Sequence, residues 1–336
     1  MARIGINPAR GQMTDYRPAE VTLAMVTYIP GLDGYFEHRL EVLKLALASL
    51  WAHTPPPYDL MIFDNASCPQ VVNYLRQMQE QGRINYLILA ERNIGKIDAL
   101  RVLFSAAPGE IIAYSDDDIF FYPGWLEAHL EILECFPQAG MISGIAVRNA
   151  AGHARRSLDQ LAERGAPGLS VLRERRIPDA WEVDWAASTG RDPQEHLLAT
   201  RDHLDLVFHA EKPDGGACEA IGSANHFQFV TPKEVILKAL PSSWTGKLMG
   251  SMIELDEAID RLGYLRLSTV ERYTRHLGNA LSAEVIAEAA HLGLDLAGRA
   301  APAAGKRKGR HWLLRLPGSR RVLTGLYQRL FKILYR

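Results

Sequence analysis

The sequence predicts an α/β fold with a mainly parallel sheet flanked by helices, and three observations carry that prediction. Short apolar, β-branched runs alternate with stretches of helical periodicity from Val21 to Val147, the rhythm of parallel strands joined by helical crossovers. Most of these runs stop at polar residues, and sheets of this kind bind ligands beyond the carboxyl ends of their strands. The composition, 47% hydrophobic and 23% charged over 336 residues, suits a globule with a sizeable core and excludes a disordered chain.

Each element has its own local reason. Val21–Tyr28 is an apolar run ended by Pro30 and Gly31, hence a buried strand. Residues 36–53 repeat Leu40, Leu43, Leu47 and Leu50 at helical spacing, and Pro55–Pro57 stop them. Residues 58–63 form a second strand, closing on Asp64-Asn65-Ala66-Ser67, and Pro69 suits the first turn of a helix over 69–82. Strands over 84–89 and 110–114, helices over 94–107 and 125–136, and a strand over 141–147 continue the pattern. From Ala150 to Gly215 the rhythm breaks into a charged stretch read as helices with loops. Residues 218–230 return to strand composition; helices over 232–239, 254–262 and 283–292 and a strand over 263–267 complete the globule.

No run reaches the length of uncharged apolar residues that crosses a bilayer, and Met1 to Arg17 lacks the apolar core of a signal peptide. Cys68, Cys135 and Cys218 fit neither a disulfide framework nor a zinc site. A cytoplasmic location is therefore expected. The 38 basic and 39 acidic residues nearly cancel, yet Arg299 to Arg336 holds eleven of the basic ones and no acid. In residues 319–336, Val322, Leu323, Leu326, Tyr327, Leu330, Phe331 and Leu334 form an apolar helical face with arginine and lysine around it. Such a helix lies on an anionic membrane, here the inner face of the cell membrane, or docks on the acidic body or a second copy in a homodimer. Nucleic acid is not an expected partner, since the basic charge is confined to the tail. The expected organisation is an irregular lead-in over 1–18, a body over 19–295 with an insertion or lid at 150–215, and a linker plus basic helix over 296–336.

Asp116, Asp117 and Asp118 follow IIAY and precede IFFYPGW. Three adjacent carboxylates repel one another, and apolar flanks worsen their desolvation. A divalent cation would offset both effects, and oxygen ligands suit Mg²⁺ or Mn²⁺, which keep waters and bind substrate phosphates. In an extended segment Asp116 and Asp118 point one way and Asp117 the other. The competing reading is a solvated acidic turn, which the immediate return to Phe120-Phe121 disfavours.

In order and spacing, the first strand ending at Thr27, the DNAS turn, the RNIGKIDAL segment from Arg92 to Leu100, and SDDD followed by Pro123-Gly124-Trp125 resemble the GT-A (Rossmann-like nucleotide-diphospho-sugar transferase) glycosyltransferases, most like family 2. The resemblance covers residues 20–148 well and 216–279 loosely. It implies that Asp118 is the metal-binding acid of a DXD motif, with Asp116 its partner near the ribose or metal and Asp117 beside them in the donor site. Asp64 would contact the donor's base, unless it is a turn cap. Thr27 and Tyr28 would meet the nucleotide, and Asn93, Gly95 and Lys96 would form the loop between nucleotide and sugar; for Lys96 the alternative is a solvated lysine. His276, in RHLGN, resembles a late histidine that completes the metal site, against a purely structural role.

The resemblance further implies a general base in an acidic pair before a helix, a glycine and a short strand. Here that stretch reads Glu254-Leu255-Asp256-Glu257, then Gly263-Tyr264. Asp256 is the first candidate base and Glu254 the second. The usual adjacent Glu-Asp pair is missing, and ordinary acids of a helix's first turn remain the alternative. His226, Trp181, Trp185 and Trp244 are candidates for an acceptor cleft or for the core. The function implied is Mn²⁺- or Mg²⁺-dependent transfer, inverting, from a UDP-, GDP- or dTDP-linked sugar to a glycan or lipid-linked acceptor, in cell-surface glycan or glycolipid synthesis. Rival readings are a retaining enzyme of the same fold, a sugar nucleotidyltransferase, and a non-catalytic binding module. TYIPG after the first strand is not the Gly-rich basic loop a nucleotidyltransferase would carry.

Overall fold

The structure is a computed structural model describing residues 5–212 and 215–294; the tail reading at 296–336, with its helix at 319–336, lies outside the described residues. The chain opens with β1 (Val21–Thr27), a 3₁₀ turn at Gly34–Phe36, α1 (Arg39–His53), β2 (Asp59–Asp64), α2 (Pro69–Glu80), β3 (Tyr86–Leu89), α3 (Lys96–Ala106) and β4 (Ile111–Asp116). β5 (Ile119–Phe121), α4 (Trp125–Cys135) and β6 (Ala139–Ser143) follow. Then come α5 (Arg156–Arg164), β7 (Leu169–Glu174), α6 (Asp179–Ser188), α7 (Pro193–Thr200) and β8 (Asp205–Glu211). β9 (Ala217–Ile221), β10 (Gln228–Pro232), α8 (Lys233–Ala239), α9 (Met252–Arg261), β11 (Leu265–Ser268), β12 (Thr274–His276) and α10 (Ala283–His291) complete the described elements.

One sheet runs β3-β2-β1-β4-β10-β6-β11-β9-β8-β7. Its first four strands are parallel, with Thr27 level with Asp64 and Val26 level with Asp116. The three polar strand tips therefore lie side by side. β10 enters antiparallel between β4 and β6, β11 lies parallel to β6, and β9, β8 and β7 follow antiparallel, so the sheet as a whole is mixed.

β1 is buried along its whole length, and mostly apolar, because both its faces are covered. Leu23 and Met25 pack with Leu43 and Leu47 of α1, whereas Ala24 and Val26 pack with Leu100, Leu103 and Phe104 of α3. A fully buried leucine such as Leu103 is worth about 2–5 kcal/mol against alanine. These two layers hold the strand tips rigid.

Three features differ from the sequence expectation. The 150–215 stretch contains strands as well as helices: β8 alternates Leu206, Phe208 and Ala210 into a separate core cluster and extends the sheet. Residues 218–230 split into β9 and β10, because Ser223 and Asn225 turn their side chains to the carbonyls of Val147 and Ile145. A second sheet pairs β12 with β5, setting His276 opposite Ile119; both strands are too short for periodicity to reveal. Among the described residues no helix is long and apolar enough to cross a membrane.

Candidate active site

β4 ends at Asp116, and Asp117-Asp118 form a turn into β5. That turn breaks the strand alternation, so the expected grouping of Asp116 with Asp118 does not occur. Asp116 accepts the Tyr114 hydroxyl and lies 2.7 Å from Lys96 Nζ at the start of α3. Asp117 and Asp118 share instead the buried guanidinium of Arg39, the first residue of α1. Asp117 also accepts the Thr27 hydroxyl. Arg39 Nη1 is 2.7 Å from Asp118 Oδ2 and donates to the Gly278 carbonyl at 3.0 Å.

The small second sheet carries His276 to this turn. Leu277 N donates to the Asp118 carbonyl at 2.8 Å, and His276 Nε2 stands 3.5 Å from Asp118 Oδ2 while Nδ1 meets Ser188 Oγ at 3.0 Å. Asp118 Oδ1 is buried and has no partner among the described residues. Burial alone would raise the Asp118 pKa, but His276 and Arg39 together hold it below the usual carboxylate value. At Asp117 burial wins over Arg39 and the pKa is raised. Arg39, which burial would weaken as a base, is strengthened by the two aspartates. A cavity of about 680 Å³ opens here, lined by Tyr35, Asp118, Ser188, His276, Gly278 and Asn279 among others.

At the tip of β2, Asp64 Oδ2 accepts the Ser67 amide at 3.1 Å, while Oδ1 is buried without a partner among the described residues. Burial raises the Asp64 pKa against the Ser67 hydrogen bonds. The turn-cap reading and an open acceptor therefore coexist in one carboxylate. Asn65 ties two loops together: its Oδ1 accepts Ile94 N at 2.9 Å and its Nδ2 donates to Asn93 Oδ1 at 2.9 Å, and that oxygen also accepts Gly95 N at 2.8 Å. Tyr28 is exposed and stands edge-on to Phe36. Gly95 needs its φ of +88°, and a Cβ there would lie 2.1 Å from the Lys247 carbonyl oxygen. The 245–250 loop is pinned against α3 by Lys96 N to Leu248 O and by Thr245 and Gly246 on buried Asp98.

Of the two candidate bases, Glu254 is exposed and 3.9 Å from Lys247 Nζ. Asp256 is fully buried, and its Oδ2 faces His153 Nε2 at 2.7 Å, His226 Nδ1 at 3.0 Å and Arg266 Nη2 at 3.1 Å. Trp185 belongs to the core, Trp181 packs against it, and Trp244 is exposed beneath Arg101. Arg39 and His153 gave no signal in the sequence: the first reads as an ordinary helix charge, and the second stands in a stretch without a pattern.

Among the described residues no group of three or more His, Cys, Asp or Glu side chains is gathered for a metal ion. Asp118 and His276 nonetheless fit a cation as a pair, since one buried carboxylate oxygen is unpartnered and an imidazole nitrogen is close by. Asp116 is engaged elsewhere.

Residues 35–186 match the family model described as glycosyl transferase family 2. An uncharacterized glycosyltransferase of Nostoc sp. is 26% identical over 128 residues, which is 38% of this chain and 38% of that relative. Among solved structures, S. aureus TarS 1-349 aligns over 80% of this chain and 63% of its own, at 12% identity and a TM-score of 0.44. GalNAc-T7 with UDP, GalNAc and Mn²⁺ aligns over 76% and 42%, at 14% identity and 0.45. The mannosyltransferase PcManGT from Pyrobaculum calidifontis, in complex with GDP-Man and Mn²⁺, aligns over 40% and 37%, at 21% identity and 0.32.

Proposed function

Taking as premise that residues 35–186 are a glycosyltransferase family 2 segment of a GT-A-type chain, we propose that the protein transfers a sugar from a nucleoside diphosphate to an acceptor hydroxyl with inversion. The observation that carries this is a pair of buried carboxylate oxygens without a partner among the described residues, Asp64 Oδ1 and Asp118 Oδ1, near the tips of β2 and β4, the two parallel strands that flank β1. A buried acceptor without a donor costs about 1–3 kcal/mol, so two of them at the strand tips favour a ligand that supplies the missing partners.

In this reading Asp64 accepts an N–H of the donor's base, and Thr27 and Tyr28 line the nucleotide. Asn93 and Gly95, braced by Asn65, shape the loop beside the diphosphate, and Lys96 next to Asp116 sets the ribose side. Asp118 and His276 would hold Mn²⁺ or Mg²⁺, which when bound supplies charge to the leaving diphosphate. Arg39 favours the ionised forms of Asp117 and Asp118 and fixes both in direction. The 150–215 stretch, whose Ser188 meets His276, forms the acceptor-side wall. UDP, GDP and dTDP sugars are the donor class, and a glycan or lipid-linked hydroxyl is the acceptor class, in surface glycan or glycolipid synthesis.

Calorimetry with UDP, GDP and dTDP, with and without Mn²⁺, tests the reading. One nucleotide should bind, and Asp64→Ala should weaken it roughly tenfold or more, the loss of a charged hydrogen bond. Binding that Asp64→Ala and Asp118→Ala both leave unchanged would move the donor site elsewhere.

A further inference from the structure

Asp256 has no exposed surface, so no acceptor hydroxyl can touch it. Its Oδ2 is taken by three donors and its Oδ1 is sealed in the interior. A base with an accessible nitrogen is needed, and the same cluster contains one. His226 gives Nδ1 to Asp256 at 3.0 Å, its side chain is 35% exposed, and its Nε2 has no partner among the described residues. A carboxylate on one ring nitrogen fixes the tautomer, so Nδ1 carries the proton and Nε2 is a free acceptor.

The position of His226 fits the chemistry. It precedes Phe227, whose carbonyl accepts the Asp116 amide at 2.7 Å and whose ring stands 5.3 Å from that of His276. The histidine is thereby fixed next to the acid triplet. His153 shares Asp256 but has no such link; its carbonyl instead accepts Arg266 at 3.0 Å. The groups facing the dyad are Asp256 of α9, His153 after β6 and Arg266 of β11. His153, His226 and Arg266 together hold the Asp256 pKa below the usual carboxylate value against its burial.

We propose that His226 is the general base of transfer and that buried Asp256 is a positioning residue behind it, an inference that rests on the glycosyl-transfer reading above. His226 Nε2 takes the proton of the acceptor hydroxyl as that oxygen bonds to the anomeric carbon. The bond from that carbon to the diphosphate oxygen breaks, and its electron pair leaves with the nucleoside diphosphate. The resulting imidazolium is stabilised by Asp256 through Nδ1–H, the division of labour of a His-Asp pair.

The test uses the full chain with UDP-glucose, UDP-GlcNAc and GDP-mannose, Mn²⁺ present and water as acceptor, reading nucleoside diphosphate release and, by calorimetry, UDP and GDP affinity. His226→Gln should lower kcat about 10²–10⁴-fold with nucleotide affinity nearly unchanged. Asp256→Asn should lower kcat with KM held and displace the acid limb of the pH profile, and added imidazole should restore turnover in His226→Ala. Turnover in His226→Gln within a few-fold of wild type overturns the assignment, as does a slow His226→Ala that imidazole does not rescue and whose pH profile is unchanged. Wild-type protein that releases diphosphate from none of the donors overturns the glycosyl-transfer reading instead.

Discussion

Replacing Arg39 by methionine tests the electrostatic centre of the site. Its guanidinium is the shared partner of Asp117 and Asp118, and all three side chains are about nine-tenths buried. Removing one member of a buried ion cluster while leaving the other charges in place costs about 3–5 kcal/mol. In a chain of this size each kcal/mol moves the melting temperature by about 1.5 °C, so Arg39→Met should melt roughly 4–8 °C lower. The loss comes from stranded carboxylates rather than lost packing. The triple variant Arg39→Met, Asp117→Asn, Asp118→Asn should therefore recover most of it. Mn²⁺ should stabilise Arg39→Met more than wild type, because a dication replaces the missing charge. Urea titration and calorimetric melting read both effects. Wild-type stability in Arg39→Met, to within about 1 kcal/mol, would refute the account of how the acids are held.

Gly95→Ala should lose about 1–3 kcal/mol, because its φ of +88° with ψ of 154° is adopted freely only by glycine, and should displace the 245–250 loop, which a protease would then cut faster. Unchanged cleavage would show that the contact with Lys247 is not made. Asp98 is held below the usual carboxylate pKa: burial pushes it up, but the hydrogen bonds from Thr245 and Gly246 outweigh it. Its contribution is therefore present above the unfolded value near ~4 and lost as pH falls through the folded one. Asp98→Asn should cost about 1.5–3 kcal/mol at pH 7 by urea unfolding, and an unaltered midpoint would count against it. His129 is buried and neutral, its pKa pushed down to about 4 by burial. Its stabilisation is full above the unfolded value near ~6.5 and falls by about 3 kcal/mol on the way down to pH 4. His129→Gln should flatten that part of the pH–stability curve, and an identical slope would refute the assignment.

The β1–β4 half of the fold is legible because its code is local. Apolar runs such as Val21–Thr27 announce buried strands, and Pro69, Gly95 and Gly124 mark helix starts. Asp64 and the acid triplet could be found for the same reason: they stand at strand tips in a chain order that dictates where the tips meet. What could not be read is long-range. Arg39 reaches Asp118 across 79 positions, and His153 reaches Asp256 across 103. No periodicity encodes such a meeting. β5 and β12 have three residues each, so the pairing that delivers His276 left no pattern, although the histidine itself stood out.

The same contrast changes what the acid triplet implies. Three adjacent carboxylates demand compensation, and counting charges along the sequence makes a dication the natural source. The fold supplies compensation from the chain: Lys96 for Asp116, and Arg39 for Asp117 and Asp118, with His276 near Asp118. Charge repulsion therefore does not require a metal here. What still favours one is Asp118, whose Oδ2 stands 3.5 Å from His276 Nε2 beside a cavity of about 680 Å³, and whose Oδ1 is, among the described residues, the single triplet oxygen buried without a donor. A dication at that oxygen would add to Arg39 rather than replace it. Asp118→Asn, which keeps the shape but loses the anion, should abolish Mn²⁺-dependent stabilisation while leaving the Asp64 side able to bind nucleotide. Asp116→Asn should leave the Mn²⁺ effect in place. The reverse pattern in a manganese melting titration would return the metal to Asp116 and restore the simpler argument from charge alone.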